Sequence, residues 1–338
     1  MITVFGSINV DLVTAVERLP EPGETVLGGS YTVVPGGKGA NQALAAARAG
    51  ARVCMIGGVG DDGFASIALA TLRTDGVDLA HVARRTTPTG CAMIAVARSG
   101  DNQIVVASGA NRDTVAAQLL ESDIGHNTLL LQMEVPHEEN WRAVREARAR
   151  VARIVLNVAP AGAVPVAALD DIDVLVMNRP EAARVARDLG LGRDLGPSGD
   201  EPLTLARALA MRHGVTAIVT LGADGSVAAT NEGDWRLGAL AVDVVDTTAA
   251  GDAFVGVLAA GLDAAQPIEA ALHRASVAGG LACRKQGAQP SLPWAADIDA
   301  ALARLSPPTA IAAPAPPPGG GGAQSRTVTG STMLRRVM

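Results

Sequence analysis

The residues best suited to chemistry stand in one short run, Val245-Asp-Thr-Thr-Ala-Ala-Gly-Asp-Ala-Phe254, where polar side chains and a glycine precede the apolar stretch Phe254 to Leu262. A helix beginning near Ala250 leaves the N–H groups of Ala249, Ala250 and Gly251 without intrahelical acceptors. Those donors, with the positive end of the helix dipole, can hold the negative charge of a group in transfer. Asp252 then falls in the first turn beside them, where a carboxylate can take the proton of an attacking hydroxyl. The plainer alternative is a simple cap, with Asp246 and Thr247 closing the helix and Asp252 complementing its dipole.

A second run, Gly36-Gly-Lys-Gly-Ala-Asn-Gln42, follows Pro35 and leads into an Ala-rich stretch. Its bare backbone allows close approach to a ligand, and Lys38 and Asn41 add hydrogen-bonding groups suited to a hydroxyl-rich molecule. It lacks the spacing and terminal hydroxyl of a GxxxxGK[ST] phosphate loop. A glycine-rich turn that merely opens a helix is the competing reading. A third run, Gly58-Val-Gly-Asp-Asp-Gly63, matches GxGxxG, but Asp61 and Asp62 would repel a pyrophosphate, so it reads as a polar turn after a strand.

These runs need a scaffold, and the sequence supplies one. The apolar run Ile2 to Phe5, the Ala-rich segment Ala40 to Ala49 and the run Arg52 to Ile56 form a strand–helix–strand unit. Thr128 to Gln132, Ile154 to Asn157, Val174 to Met177 and Ala217 to Thr220 repeat the theme, each followed by an Ala/Arg/Glu-rich stretch. Short continuous apolar runs fit strands covered on both faces, which predicts a doubly wound α/β fold with a mostly parallel sheet flanked by helices. Two regions break the alternation. Residues 12–35 hold Pro20, Pro22, Gly23, Gly28 and Gly29 around strand-like pieces, and residues 88–108 read as a hairpin turning at Arg98-Ser-Gly-Asp-Asn102. They predict a small β lid over a site. From 307 to 338 proline and glycine dominate, which predicts a flexible tail after a domain spanning 1–306.

Composition narrows the classes. Of 338 residues 48% are hydrophobic, enough for a large core, but only 2% are aromatic, so Ala, Val, Leu and Ile must build it. A formal net charge of -6 argues against a nucleic-acid or anionic-membrane partner. Cys54, Cys91 and Cys283 lack the spacing of a disulfide framework or a zinc site. No basic leader, cleavage site or long uncharged run is evident, which predicts a cytoplasmic location. Only Lys38 and Lys285 among the 28 basic residues are lysines, so a site needing a compact ammonium would single them out.

GGKGANQA from Gly36 and DTTAAGDAF from Asp246 resemble the two signatures of the ribokinase-like (PfkB) carbohydrate kinases, and residues 1–305 follow that family in order and spacing. Gly6-Ser-Ile-Asn-Val-Asp11, Pro22-Gly-Glu-Thr25, Gly109-Ala-Asn111, Asn157-Val-Ala-Pro160 and Gly287-Ala-Gln-Pro-Ser-Leu-Pro293 resemble its ribose-phosphorylating branch. The resemblance implies transfer of the ATP γ-phosphoryl group to the 5-hydroxyl of D-ribose, with Asp252 as base and Ala249, Ala250 and Gly251 as anion hole. It implies that Asn9, Asp11, Gly37, Lys38, Gly39, Asn41 and Glu134 hold the sugar. Asn178, Thr220, Leu221, Gly222, Ala223, Asp224, Gly225, Gly251 and Ser276 would meet the nucleotide, and Glu181 of the Asn178-Arg-Pro-Glu stretch would hold magnesium through water.

The family's monovalent-cation site, expected to take potassium, maps to Asp246, Thr248, Ala282, Lys285, Gly287 and Ser291. A homodimer formed through the lid is also implied. Val10, Arg179-Pro180, Ala253 and Cys283-Arg-Lys-Gln-Gly287 depart from the commonest family residues; Pro180 bears on where its helix starts, and the last stretch on the cation site. Related acceptors (fructose, a deoxy sugar, a nucleoside) and a non-catalytic sugar-binding role are the alternatives. Scarce aromatics disfavour the stacking pocket that a nucleobase would need.

Overall fold

The computed structural model describes residues 1–121, 128–150, 152–191 and 201–311. The chain opens with β1 (Ile2–Phe5), β2 (Asn9–Val16), β3 (Tyr31–Gly36), α1 (Lys38–Arg48), β4 (Val53–Gly60), α2 (Gly63–Thr74) and β5 (Val82–Arg85). It continues through β6 (Gly90–Ala97), β7 (Asn102–Ala107), β8 (Thr128–Leu131), α3 (His137–Ala149), β9 (Arg153–Asn157), α4 (Val166–Leu169), β10 (Val174–Asn178) and α5 (Arg179–Asp188). The last part holds α6 (Pro202–His213), β11 (Thr216–Thr220), β12 (Ser226–Ala229), β13 (Asp234–Leu237), α7 (Ala250–Asp263), α8 (Ile268–Ala282), α9 (Ala295–Ala301) and β14 (Thr309–Ile311).

Ten strands form the main sheet in the order β14-β13-β12-β11-β10-β9-β8-β1-β4-β5. Pairing is parallel from β11 to β5 and antiparallel through β12, β13 and β14. The strands are apolar on both faces because both faces are covered. On one face Val4, Leu130 and Val155 pack with α1, α2, α7, α8 and α9; on the other Phe5, Leu129 and Ile154 pack with α3, α4, α5 and α6. The doubly wound, mostly parallel sheet is therefore the one the sequence predicts. β12 and β13 escape that reading, since four-residue strands joined by a short turn carry little periodic signal.

Two boundaries move. Thr309–Ile311, inside the expected tail, pair antiparallel with β13 and close that edge of the sheet. A three-residue stretch with β-branched ends gains its hydrogen bonds from the partner strand, not from its own propensity. Residues 312–338 of that expected tail lie outside the described residues. The GxGxxG run ends β4 and starts α2: Asp62 caps α2 by accepting from the Ala65 N–H at 3.0 Å and also accepts from the Thr89 N–H and hydroxyl, each at 2.8 Å. Those carboxylate bonds fasten the turn to the start of β6, in keeping with a polar turn.

The two expected lid pieces do pair. β3-β2-β6-β7 make a separate four-stranded sheet, with β2 and β6 parallel and the other neighbours antiparallel. β3 leads directly into α1, so this small sheet is continuous in the chain with the glycine-rich run.

Helix α1 lies against α7 with almost no separation. A Cβ on Gly256 of α7 would stand 2.5 Å from the Gln42 carbonyl oxygen and 2.6 Å from the Ala45 Cβ. Backbone cannot yield as a flexible side chain does, so overpacking here costs about 1–3 kcal/mol. Gly256→Ala is expected to lower stability by that amount in a denaturant titration, with the slope of the transition unchanged.

Candidate active site

The C-terminal ends of the parallel strands present Asn157 (β9), Asn178 (β10) and Thr220 (β11) along one edge. In open α/β sheets ligands bind beyond that edge. Here the edge faces the first turns of α1 and α7. A cavity of about 230 Å³ lies between them, lined among others by Lys38, Asn157, Glu181, Thr220, Gly251 and Asp252. An adjoining cleft of about 530 Å³ is lined by Asn9, Val106, Asn111, Arg112, Glu134 and His137 among others. The two approach where the Lys38 backbone N–H donates to Glu134 Oε2 at 3.0 Å.

Helix α7 starts at Ala250 and has no side-chain cap; its capping position, Ala249, is left-handed at φ 59°. Asp246 does not close the helix. One of its oxygens accepts from the Thr248 N–H at 2.9 Å and hydroxyl at 2.6 Å, and the other from the Gly287 N–H at 2.8 Å. The polar residues ahead of α7 thus brace a loop and leave the helix end open. One expected donor is corrected: the Ala250 N–H reaches the Thr247 carbonyl at 3.2 Å. The N–H groups of Ala249 and Gly251 have no acceptor among the described residues and stay available.

Asp252 is 7% exposed and both of its oxygens are held. Oδ2 accepts from Asn41 Nδ2 at 3.0 Å and Oδ1 from Gln42 Nε2 at 2.9 Å. Burial pushes its carboxyl above the usual range, against the lowering influence of Lys38 and the two amide donors. Burial and these groups thus act on the carboxyl in opposite directions, and burial prevails.

Lys38 is the only ammonium in a ring of Asp11, Glu134, Glu181 and Asp252. Burial alone would lower its pKa, but Asp252, Glu134, Glu181 and Asp11 together raise it, so it stays charged. Gly37 stands at φ 90°, a conformation that favours glycine, and a Cβ there would meet the Asn9 N–H at 2.8 Å. Gly39 sits as close to Ser7. With no side-chain cap of its own, α1 is capped from elsewhere: Glu134 Oε2 takes the Lys38 N–H and the Ser7 hydroxyl at 2.6 Å, while Ser7 takes the Gly39 and Ala40 N–H groups. Glu134 therefore spends one oxygen on structure and keeps the other free among the described residues.

Asn9 is buried and crosslinked: its Oδ1 accepts from Asn111 Nδ2 at 2.6 Å, and Asn111 Oδ1 accepts from the Ile8 N–H. The Asp11 side chain has no hydrogen bond or ion pair among the described residues, while its backbone is part of β2. Burial, then Glu134 and Asp252, push its carboxyl up to about 6, with Lys38 pulling the other way. Gly36 leaves the space that its carboxylate fills.

The remaining expected positions fall in two places. Asn178 and Glu181 form a reciprocal cap on α5, with the Asn178 N–H on Glu181 Oε2 at 2.7 Å and the Glu181 N–H on Asn178 Oδ1 at 2.9 Å. Pro180 sits in the first turn, where its missing N–H is not needed, so α5 starts at Arg179 undisturbed. Burial raises the Glu181 pKa. Leu221 to Gly225 form a turn after β11, with Gly222 at φ 63° and Gly225 at φ 87°; Asp224 pairs with Arg179 at 2.7 Å. Ser276 is buried on α8 and is not among the residues lining the smaller cavity.

For the expected monovalent-cation set, Asp246 holds the Gly287 loop, Ala282 ends α8, and Ser291 is buried with its hydroxyl on the Ala288 carbonyl at 2.7 Å. Carbonyls at the negative end of a helix beside a carboxylate are a donor set that fits an oxygen-bound cation.

Gln42, Gln132 and Asn157 carry roles that sequence reasoning did not assign. Gln42 directly follows Asn41 in the same motif and is the polar residue on an otherwise alanine-rich turn, which was the available signal.

A profile described as pfkB family carbohydrate kinase matches residues 1–295, and the chain belongs to that family. It is 36% identical over 302 residues to the ribokinase of Bacillus subtilis (strain 168), covering 88% of this chain and 98% of that one. To the ribokinase of Lactococcus lactis it is 34% identical over 308 residues, covering 90% and 97%. The solved structure of Arabidopsis thaliana ribokinase complexed with ribose and ATP superposes with a TM-score of 0.78 at 28% identity, covering 89% of this chain and 98% of that one.

Asp11 gives a direct electrostatic test. A carboxyl raised to about 6 in the folded chain favours the protonated form, so its stabilising contribution is present below the unfolded value near 4 and is lost as pH rises through 6. Asp11→Asn is therefore expected to be more stable than the parent by roughly 1–3 kcal/mol at pH 7–8. The gap should close near pH 4, as read by urea unfolding across that range.

Proposed function

We propose that the chain transfers the γ-phosphoryl group of ATP to O5 of D-ribose, giving D-ribose 5-phosphate and ADP. The observation that carries this reading is a buried carboxylate, Asp252, one residue past the free N–H groups of an uncapped helix. Relatives that are ribokinases supply the acceptor and donor.

In this reading Asp252 accepts the O5 proton as the oxygen attacks the γ-phosphorus and the bond to the bridging oxygen of ADP breaks. The Ala249 and Gly251 N–H groups and the Lys38 ammonium meet the charge on the group in flight. Asp11, Asn9 and the free oxygen of Glu134 hold sugar hydroxyls, and the Leu221–Gly225 turn receives the nucleotide. Four carboxylates around one ammonium leave the site negative, so a polyanionic nucleotide needs cationic help there. Magnesium, when bound with the nucleotide, supplies that charge, and Glu181 with its remaining oxygen would hold it through water. Potassium would be held by the Asp246 loop and the carbonyls after α8.

The lid closes over the sugar and keeps water from competing as acceptor. It also supplies a dimer contact. Val106 lines the cleft from one face of β7, while Met93 and Val105, opposite one another in register, leave the other face apolar and exposed. A second copy of the chain covers that face. No described helix is long and apolar enough to cross a membrane, and the proposed reaction suits the cytoplasm, where ATP is made available.

ATP consumption with magnesium and potassium across ribose, deoxyribose, fructose and adenosine tests the acceptor. Ribose is expected to lead, and preference for another acceptor would move the substrate while keeping the chemistry. Asp252→Asn is expected to lower kcat by about 10²- to 10⁴-fold with ribose affinity nearly unchanged; near-parental turnover would remove Asp252 as base. Val105→Asp is expected to shift the mass in light scattering from dimer to monomer.

A further inference from the structure

A chain of buried carboxamides runs from the sheet to Asp252. Gln132 Nε2 donates to Gln42 Oε1 at 2.8 Å; Gln42 Nε2 donates to Asn157 Oδ1 and to Asp252 Oδ1, both at 2.9 Å; Asn157 Nδ2 donates to the Val176 carbonyl at 3.1 Å. Asn140 Nδ2 steadies the start of the chain by donating to the Gln132 carbonyl at 2.7 Å. Gln42, Gln132 and Asn140 are fully buried. Space is kept for the chain, since a Cβ on Gly6 would collide with Gln132 Oε1.

The direction of every bond follows from the ends. An ionised carboxylate and a backbone carbonyl can only accept, so Asn157 must donate to Val176 and Gln42 must donate to Asp252. Both hydrogens of the Gln42 amide are then spent, and its oxygen must take the proton offered by Gln132. Turning the Gln42 amide over would set its oxygen against the Asn157 oxygen and the Asp252 carboxylate, and its nitrogen against the Gln132 donor. One orientation alone matches the Gln42 amide to the three groups it meets, while Gln132 Oε1, beyond that amide, has no partner among the described residues.

That fixed amide makes the two oxygens of Asp252 unequal. A proton arriving on Oδ1 would meet an N–H that cannot turn away. On the other side Asn41 has latitude, because its own oxygen is buried with no hydrogen-bond partner among the described residues. An Asn41 flip brings an acceptor to Oδ2 when that oxygen becomes protonated.

We propose that Gln42, oriented by Gln132 and Asn157, is a positioning residue that locks the Asp252 carboxylate and reserves Oδ2, on the Asn41 side, for the proton taken from the substrate. This rests on the reading of Asp252 as the base. The charged groups facing Asp252 are Lys38 from α1, Glu134 from the segment after β8, Glu181 from α5 and Asp11 from β2, and none of them replaces a donor removed from Oδ1.

Gln42→Met conserves length and removes the donor, and Gln132→Met leaves that donor but frees its orientation. For Gln42→Met, kcat is expected to fall about 10- to 100-fold with KM for sugar and ATP within about threefold. Loss of a donor to the carboxylate raises its pKa, so the acid limb of the kcat profile moves to higher pH. Gln132→Met is expected to move both in the same direction by less, which decides the matter should Gln42→Met not fold. Carbon-13 NMR titration of the Asp252 carboxyl reads the same shift without turnover. A parental enzyme inactive on every acceptor would defeat the kinase reading and leave this titration to decide the locking role. Folded variants with parental kcat, acid limb and carboxyl midpoint would overturn the inference.

Discussion

The contact between α1 and α7 is the constraint on which the site depends. Gly256 presses on the backbone of Gln42, so two helices from distant parts of the sequence begin side by side over the strand ends. Lys38, Asn41 and Gln42 come from one helix and Gly251 and Asp252 from the other. Alanine makes the contact possible: Ala40, Ala43, Ala45 and Ala46 are fully buried, and Gly256 meets the Ala45 side chain and the Gln42 carbonyl with no room for a Cβ. These small faces bring the first turns close enough for a carboxylate on one helix to take donors from the next.

The two helix starts are treated oppositely. Glu134 and Ser7 occupy the first N–H groups of α1, so that end is finished by the protein itself. At α7 Asp246 is turned toward the Gly287 loop and Thr248 instead of capping the helix, and the left-handed Ala249 leaves donors open. An open helix end costs stability unless something negative completes it. In the proposed reaction the open end is where the phosphoryl group would sit, and the closed end belongs to the packing of the protein itself.

Much of this was legible in the residues. The doubly wound sheet followed from short apolar runs between Ala-rich stretches, because burial on both faces leaves no alternation to confuse with a surface strand. The helix start at Ala250 followed from the switch between polar and apolar residues around Asp252. What stayed hidden depends on long-range partners. Nothing local says that Asp246 reaches Gly287 rather than the helix, that Glu134 caps α1 from almost a hundred residues away, or that the Ala250 N–H turns back to Thr247. Gln42 was in plain view, yet its meaning lies in Asn157 and Gln132, which only the fold brings to it. β14 was lost for the same reason, since its strand character comes from the edge it joins.

The electrostatics of the pocket bind these pieces together. Asp252, Asp11 and Glu181 are each pushed toward their protonated forms by burial, and Lys38 opposes this for all three. A single ammonium cannot neutralise them, so the pocket holds more negative charge than it can comfortably keep dry. For Asp252 the fixed amides of Asn41 and Gln42 oppose burial without reversing its upward shift, and neither becomes a competing proton source. For Asp11 no side-chain donor does so among the described residues, which leaves a carboxylate whose hydrogen bonds are vacant until hydroxyls arrive. Polyhydroxylated ligands suit such a site because they bring donors without adding charge, and the same deficit rewards a cation entering with the nucleotide. The two aspartates thus differ by environment and not by residue type, Asp252 holding two side-chain donors and Asp11 none among the described residues, and the proposed roles of base and binding group follow that difference.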